Sequence, residues 1–299
     1  MSLEEARAAD AALTEIDWSL PPAGARMFRF DAPSGALAAW EIGDPDGDRV
    51  VLVPGATGSK EDFKLLAEIL ASDGYFVQSY DIAGQYESAD AGPAGPDAWT
   101  YDLFVDDMTA FLEAGAPANL LGFSFAGIVA QMVALARPEL VRSLTLLATP
   151  PLAGQVFRRV RIVGWLTRLP FFTSRIGGGV LLWNVRTNFS KVTPERLAFA
   201  NARLALTRRE SVDGIIGLMM RTPDLRVRLR DRALPVLVAA GTKDLWRART
   251  YRRHAKRMGA ENAILATGHS PCETTPHELA FHMRSLFARV PDAAAEPAR

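Results

Sequence analysis

Gly122-Phe123-Ser124-Phe125-Ala126-Gly127 follows the short apolar run Leu120-Leu121 and precedes a helix-like stretch from Ile128 to Arg137. Small residues two places before and two places after a serine suit a turn so tight that larger side chains would clash. At a strand-to-helix junction such a turn lifts the serine hydroxyl into an exposed position. Ala126 stands where the G-x-S-x-G pattern usually has its second glycine. Taken alone, Ser124 reads as well as an ordinary helix N-cap, so the surrounding chain decides.

Upstream, residues 26–30 and 37–42 form a strand pair across the Pro33-Ser34-Gly35 turn. Val50–Val53 is a continuous apolar run, suited to a strand buried on both faces. After Pro54-Gly55, Ser59 and Asp62 mark a helix start of the capping-box kind. Phe63, Leu66 and Leu70 then share one face at helical spacing. Gly74 ends that helix, and Tyr75–Tyr80 reads as the next strand. Trp99–Glu113 is helical, Asn119–Leu121 a strand, Ile128–Arg137 a helix stopped by Pro138, and Leu144–Ala148 a strand.

Downstream, Val236–Ala240 and Ala263–Ala266 read as strands, and Ala248–Met258 and Pro276–Ala288 as helices. The last helix has Thr275 as its expected N-cap and Pro276 at the favoured first position. Strands alternating with helices predict an α/β fold with a mostly parallel, doubly wound sheet. Residues 151–232 interrupt the alternation with helical stretches at Gln155–Arg168, Val180–Val185, Pro194–Leu206 and Ser211–Met220. The expected organisation is a core made of residues 1–150 and 233–299, with an inserted helical cap (lid) at 151–232. The tail from Pro291 is expected to fray.

The bulk numbers fit this architecture. The chain has 299 residues, 48% hydrophobic and 23% charged, close to ordinary globular usage, so a packed core is expected rather than disorder. Its apolar stretches fall short of the roughly 20 residues a membrane helix needs. The acidic, Ala-rich stretch Met1–Asp17 lacks the basic patch and apolar core of a secretory signal, so a cytoplasmic location is the expectation. Cys272 is the only cysteine, which excludes an internal disulfide and a cysteine-based zinc site. Net charge is zero but unevenly spread: residues 151–232 carry 16 Lys and Arg against 5 Asp and Glu, and the remainder 18 against 29. That asymmetry fits arginines solvating exposed helix faces. It fits equally attraction of an anionic substrate, an acidic carrier protein or a membrane surface. No recognised nucleic-acid motif accompanies it.

Ligand sites in parallel sheets lie at the carboxyl ends of strands. Pro54-Gly55-Ala56-Thr57, Ser124, Gly241-Thr242-Lys243-Asp244 and Gly268-His269-Ser270-Pro271 each follow an expected strand. A serine, a carboxylate and an imidazole in the order Ser…Asp…His is the chain order of α/β-hydrolases. Together with Asp81-Ile82-Ala83-Gly84-Gln85-Tyr86-Glu87-Ser88, these segments make residues 26–288 resemble the α/β-hydrolase superfamily, in its serine hydrolase branch with a helical cap.

The resemblance implies Ser124 as nucleophile, His269 as base and Asp244 as the group that orients the imidazole. It implies backbone N–H groups of Ala56 and Phe125 as oxyanion donors. It calls for no cofactor and no metal, and for a small-molecule acyl substrate. Two departures stand out. Pro54 opens the oxyanion loop where many relatives have histidine, and Ala83 and Tyr86 replace the arginine and a glycine of the usual Asp-x-Arg-Gly-x-Gly-x-Ser segment. Tyr86 would then put a phenol near the pocket entrance, with Trp183 and Trp246 as further pocket residues.

Other residues read more plainly. Asp81 fits the end of a strand, Ser270 a loop hydroxyl and Cys272 a buried structural thiol. His254, in an Arg-rich helix, is expected to be solvated, and His277 and His282 lie on the last helix. Trp165, Phe171, Phe172, Trp183, Phe189 and Met219-Met220 suit either an apolar acyl pocket or the ordinary core of a docking cap. The expected activity is hydrolysis of an ester, thioester or related acyl bond through an acyl-enzyme. Carbon–carbon bond hydrolysis or perhydrolysis on the same triad is the alternative within enzymes, and a non-catalytic ligand-binding role is the alternative outside them.

Overall fold

The computed structural model describes residues 1–159, 173–179 and 192–290. Its strands are β1 (Arg26–Ala32), β2 (Gly35–Ile42), β3 (Arg49–Val53), β4 (Phe76–Tyr80), β5 (Ala118–Phe123), β6 (Val141–Leu147), β7 (Val236–Gly241) and β8 (Glu261–Leu265). They form one eight-stranded sheet in the order β1-β2-β4-β3-β5-β6-β7-β8. β1, β2 and β4 pair antiparallel, and every neighbour from β4 to β8 pairs parallel. β3, β5 and β7 are buried along their whole length. Their unbroken apolar runs are therefore strands covered on both faces.

Among the described residues the longer helices are α1 (Leu3–Ala11), α2 (Lys64–Ser72), α3 (Tyr101–Glu113), α4 (Phe125–Ala136), α5 (Pro194–Leu206), α6 (Arg209–Met219), α7 (Arg226–Arg230), α8 (Ala248–Met258) and α9 (Pro276–Phe287), with a single turn at Pro271–Thr274 before α9. One core cluster joins the sheet to α3, α4 and α8 through Phe104, Met108, Val129, Val133 and Tyr251. A second, on the opposite face, joins it to α2 and α9 through Leu66, Leu70, Leu279 and Met283. The α/β, doubly wound expectation therefore holds.

Local differences have identifiable causes. The expected helix from Ile128 begins at Phe125, and β5 runs on to Phe123, so Ser124 alone makes the strand-to-helix junction. Periodicity misses this because Gly122 to Gly127 is too short and too mixed, with two glycines and two phenylalanines around one serine, to show either the strand or the helix repeat. Thr275 makes no side-chain cap on α9. Asp10 of α1 does so instead, accepting the His277 and Glu278 N–H groups at 2.8 and 3.0 Å. A cap supplied from the far end of the sequence leaves no local signature. His254 is buried rather than solvated, and burial pushes its pKa down to about 4. No described helix is long and apolar enough to cross a membrane.

The insertion between β6 and β7 is closed at its neck by a bridge between Gly154 and Thr222. Val156–Arg159 is a short 3-10 turn, and residues 174–179 are helical. The rest of the expected Gln155–Arg168 helix, the Val180–Val185 helix, Trp165, Phe171, Phe172, Trp183, Phe189 and the tail from Pro291 lie outside the described residues. α5 docks on the core through buried charge. Arg196 donates to Asp62 and Glu273 at 2.7 Å each, and Arg203 donates to Asp62 and, at 3.2 Å, to Ser59 Oγ. Both arginines are under 8% exposed, so part of the basic excess of the insertion is neutralised internally.

Candidate active site

Ser124 has φ +51° and ψ −115°, a strained backbone for a residue with a side chain, and it sits between β5 and α4. Close packing holds the turn. A Cβ on Gly127 would lie 1.8 Å from Thr149 Oγ1, and one on Gly122 would lie 2.6 Å from the Gly127 Cα. The glycines that the tight turn cannot lose are therefore Gly122 and Gly127, whereas position 126 takes Ala126 in full burial. Ser124 is a helix N-cap by position, yet its side chain makes no capping hydrogen bond.

The loop after β3 comes onto the same residue. A Cβ on Gly55 would stand 2.9 Å from the Ser124 Cβ. This contact places Gly55-Ala56 beside the serine. The Phe125 N–H opens α4, where the first backbone donors have no carbonyl partner within the helix. Thr57, at φ +60°, is held by Gln85: its N–H donates to Gln85 Oε1 at 2.7 Å. The same fully buried amide donates through Nε2 to Ser211 Oγ on α6 at 2.7 Å. Gln85 thus ties the loop beside Ser124 to the insertion. It was legible only as one letter of the Asp81–Ser88 segment.

The loops after β7 and β8 interlock. Thr242 N–H donates to the Leu265 carbonyl at 2.8 Å, and Lys243 N–H to the Thr267 carbonyl at 2.9 Å. This brings Asp244 and His269 together, with His269 Nδ1 2.7 Å from Asp244 Oδ1. The Asp244 side chain is fully buried, and its second oxygen accepts from the Tyr251 hydroxyl at 2.9 Å. The Leu245 N–H also donates to Oδ1. Burial pulls the His269 pKa down, but the adjacent Asp244 carboxylate outweighs it and the net shift is upward. The His269 side chain remains 31% exposed. Its ring packs 5.3 Å from that of Phe123, the residue before Ser124. Among the described residues Ser124 Oγ has no hydrogen bond to His269; the two approach each other through Phe123.

The expected pocket residues divide. Tyr86 is half-buried at the junction with the insertion, where its ring meets Phe199 of α5 edge-on at 5.9 Å and its N–H donates to Thr207 Oγ1. Trp246 is 1% exposed, its indole N–H donates to the Val156 carbonyl at 3.0 Å, and its ring stands against Tyr251. It packs beneath the Asp244 loop and carries no free face of its own. Trp183 lies outside the described residues. Asp81 is buried in an ion pair with Lys60 at 3.0 Å, and Cys272 is fully buried, which pushes its thiol pKa well up. Among the described residues no group of three or more His, Cys, Asp or Glu is placed to hold a metal ion.

Comparison with known proteins converges on one family. A model of the alpha/beta hydrolase family matches residues 50–280. The chain is 30% identical over 305 residues to the polyketide synthase ThaQ of Burkholderia thailandensis, spanning 93% of this chain and 14% of that relative's length. Similar solved structures include a thioesterase domain from the curacin biosynthetic pathway (TM-score 0.66, 18% identity, 87% of this chain and 99% of that one). A hydrolase from Pseudomonas aeruginosa PA01 gives TM-score 0.70 at 22% identity over 87% and 98%. The esterase EaEST from Exiguobacterium antarcticum gives 0.69 at 19% over 88% and 100%. At these identities the structural likeness speaks to fold alone, while the family match spans the serine, the carboxylate and the histidine described above. This chain belongs to the alpha/beta hydrolase family.

Proposed function

We propose that this enzyme hydrolyses acyl thioesters through an acyl-enzyme on Ser124. One observation carries the reading: Ser124 stands on a strained strand-to-helix turn with Gly55 against its Cβ, next to an imidazole already held by a buried carboxylate. A helix cap would need neither the strain nor the His269–Asp244 pair.

The chemistry follows from the groups present. With Nδ1 committed to Asp244, His269 has Nε2 left to take the Ser124 proton as Oγ attacks the acyl carbon. The oxyanion that forms is stabilised by the Ala56 and Phe125 N–H groups, each contributing roughly 10²–10³ in rate by analogy with other oxyanion holes. Collapse breaks the carbon–sulfur bond, and His269 returns its proton to the departing thiolate. Water, deprotonated by the same imidazole, then attacks the acyl-enzyme and releases the carboxylic acid and Ser124. Residues 1–150 and 233–299 supply this machinery. Residues 151–232 serve as a cap that shapes the acyl pocket, with Tyr86 at its rim and Trp246 supporting the Asp244 loop from below.

The choice of thioester over ester rests on the polyketide synthase relative, whose match covers nearly the whole of this chain. The same groups would serve carbon–carbon hydrolysis or perhydrolysis, and no feature of the site favours either. A panel of acyl-N-acetylcysteamine thioesters, matched p-nitrophenyl esters and a carbon–carbon diketone substrate tests the reading. Thioesters are expected to give the highest kcat/KM, with turnover lost in Ser124→Ala. Preferred turnover of the diketone, or full activity in Ser124→Ala, would overturn it.

A further inference from the structure

α8 has two faces of opposite character. Tyr251, His254, Ala255 and Met258 are buried against the sheet, and Tyr251 holds Asp244. Arg247, Arg249, Arg252, Arg253, Lys256 and Arg257 are all exposed. Residues 245–260 contain no Asp or Glu, and among the described residues none of these cations has an ion-pair or hydrogen-bond partner. The sequence of residues 160–191 contains no acid either, and the tail 291–299 contains two, Asp292 and Glu296.

Such a face works against the helix that carries it. Arg249 and Arg253, Arg252 and Lys256, and Arg253 and Arg257 are like charges one turn apart, an unfavourable spacing. Arg247 and Arg249 also sit at the N-terminal end, where the helix dipole is already positive. Many surface arginines elsewhere on this protein stand beside acids: Arg7 with Glu278, Arg26 with Glu41, Arg137 with Glu113, Arg142 with Asp48 and Arg289 with Glu261. Stability of the fold therefore does not account for the α8 pattern.

α7 extends it. Its Arg230 side chain, paired with Asp231 at 3.3 Å, lies over Gly259 at the end of α8, where a Cβ would meet Arg230 Cγ at 3.4 Å, and Arg226 pairs with Asp224, so among the described residues the unpaired cations of this surface are those of α8 and Arg228. Arg228 is exposed as well, and Val227 beside it is 56% exposed, giving the basic surface an apolar contact point. α8 begins four residues after Asp244, so its first turn lies at the end of the sheet where Ser124 and His269 stand.

We infer that the α7–α8 face docks an acidic protein that carries the acyl thioester to the site. The inference rests on the thioester reading above and adds the partner. Charge complementarity selects an acidic surface, and an exposed valine suits a protein contact. The face offers no exposed aromatic side chain, the usual platform for stacking a base, which sets nucleic acid aside.

The test compares one hexanoyl group on two supports: the phosphopantetheine arm of an acidic acyl carrier protein, and N-acetylcysteamine. The enzyme variant is the triple charge reversal Arg252→Glu, Arg253→Glu, Lys256→Glu. It is expected to cut kcat/KM for the carrier thioester by about tenfold or more, through KM, and to leave the small thioester within about twofold. Raising salt from about 20 to about 300 mM should weaken wild-type turnover of the carrier substrate only. In the triple variant the 249/253 and 253/257 pairs become attractive while 252/256 stays like-charged, so its melting temperature should be at or above that of wild type and lost docking cannot be ascribed to misfolding. Fluorescence anisotropy of the labelled carrier with Ser124→Ala enzyme reads docking without turnover. Binding there, lost on adding the triple reversal, is expected even if the hydrolysis reading fails. An unchanged carrier KM in the triple variant, salt-insensitive carrier turnover, or displacement of the carrier by single-stranded RNA at lower concentration than by unlabelled carrier would overturn the inference.

Discussion

The Tyr251 hydroxyl donates to Asp244 Oδ2 at 2.9 Å from the buried face of α8, while Asp244 Oδ1 meets His269 Nδ1 at 2.7 Å. The carboxylate is thus fixed from both sides, and burial together with the nearby negative charge holds the Tyr251 pKa well up, so it stays a donor. Tyr251→Phe removes that donor and leaves a buried carboxylate oxygen short of a partner. Stability should fall by about 1–3 kcal/mol, read by urea unfolding. Turnover should fall modestly, because the His269 contact remains.

The His269 pKa is raised because the Asp244 carboxylate outweighs the cost of burial. The imidazole must be neutral to accept a proton, so kcat/KM should climb with pH to a plateau, with a midpoint above the ordinary histidine value of about 6.5. Asp244→Asn removes the charge that raises the pKa and keeps the burial that lowers it. The midpoint should then move below that of wild type, and kcat should fall by roughly 10⁴-fold as the imidazole loses its enforced tautomer. A pH–rate profile of the two proteins checks both statements.

Gln85 links Thr57 in the loop beside Ser124 to Ser211 on α6. Gln85→Leu leaves the Ser124 and His269 side chains untouched and frees the loop that presents the Ala56 N–H. We expect kcat to fall by about 10- to 100-fold, part of what a lost oxyanion donor costs, with KM within about threefold. Ser211→Ala should give a smaller drop, since Thr57 keeps its partner. Steady-state kinetics with affinity for a boronic acid inhibitor separate the cases: a loosened oxyanion hole weakens the inhibitor as it lowers kcat, and a general loss of stability does not.

Asp62 is shared by Arg196 and Arg203, which anchor α5 to the core. Asp62→Ala leaves two buried guanidinium groups without that carboxylate, although Arg196 keeps Glu273. The expected cost is about 3–5 kcal/mol. Limited proteolysis should cut within residues 151–232 before it cuts the core.

Most of the sheet was legible because strands buried on both faces write themselves as apolar runs, as Val50–Val53 does. The order Ser124, Asp244, His269 was legible because each residue follows the end of an expected strand. Tyr251 and Gln85 were not, since each acts through side-chain hydrogen bonds, Tyr251 to Asp244 and Gln85 to Thr57 and Ser211, that no local pattern announces. Arg196 and Arg203 were counted among solvated or substrate-facing cations, because charge composition does not show which carboxylates the fold brings within reach. The Asp10 cap on α9 escaped for the same reason. Ala126 reads from the sequence as a tolerated small residue, and the packing of Gly122 and Gly127 gives the reason: these are the positions that leave no room for a side chain.

The central claim is that Ser124 is the nucleophile. The most direct measurement is treatment of the intact protein with a fluorophosphonate probe, followed by mass spectrometry of the labelled peptide. The account predicts one adduct per chain, on Ser124, formed slowly in His269→Ala and absent in Ser124→Ala. Folded wild-type protein that stays unlabelled, or that carries the adduct on another residue, would contradict it.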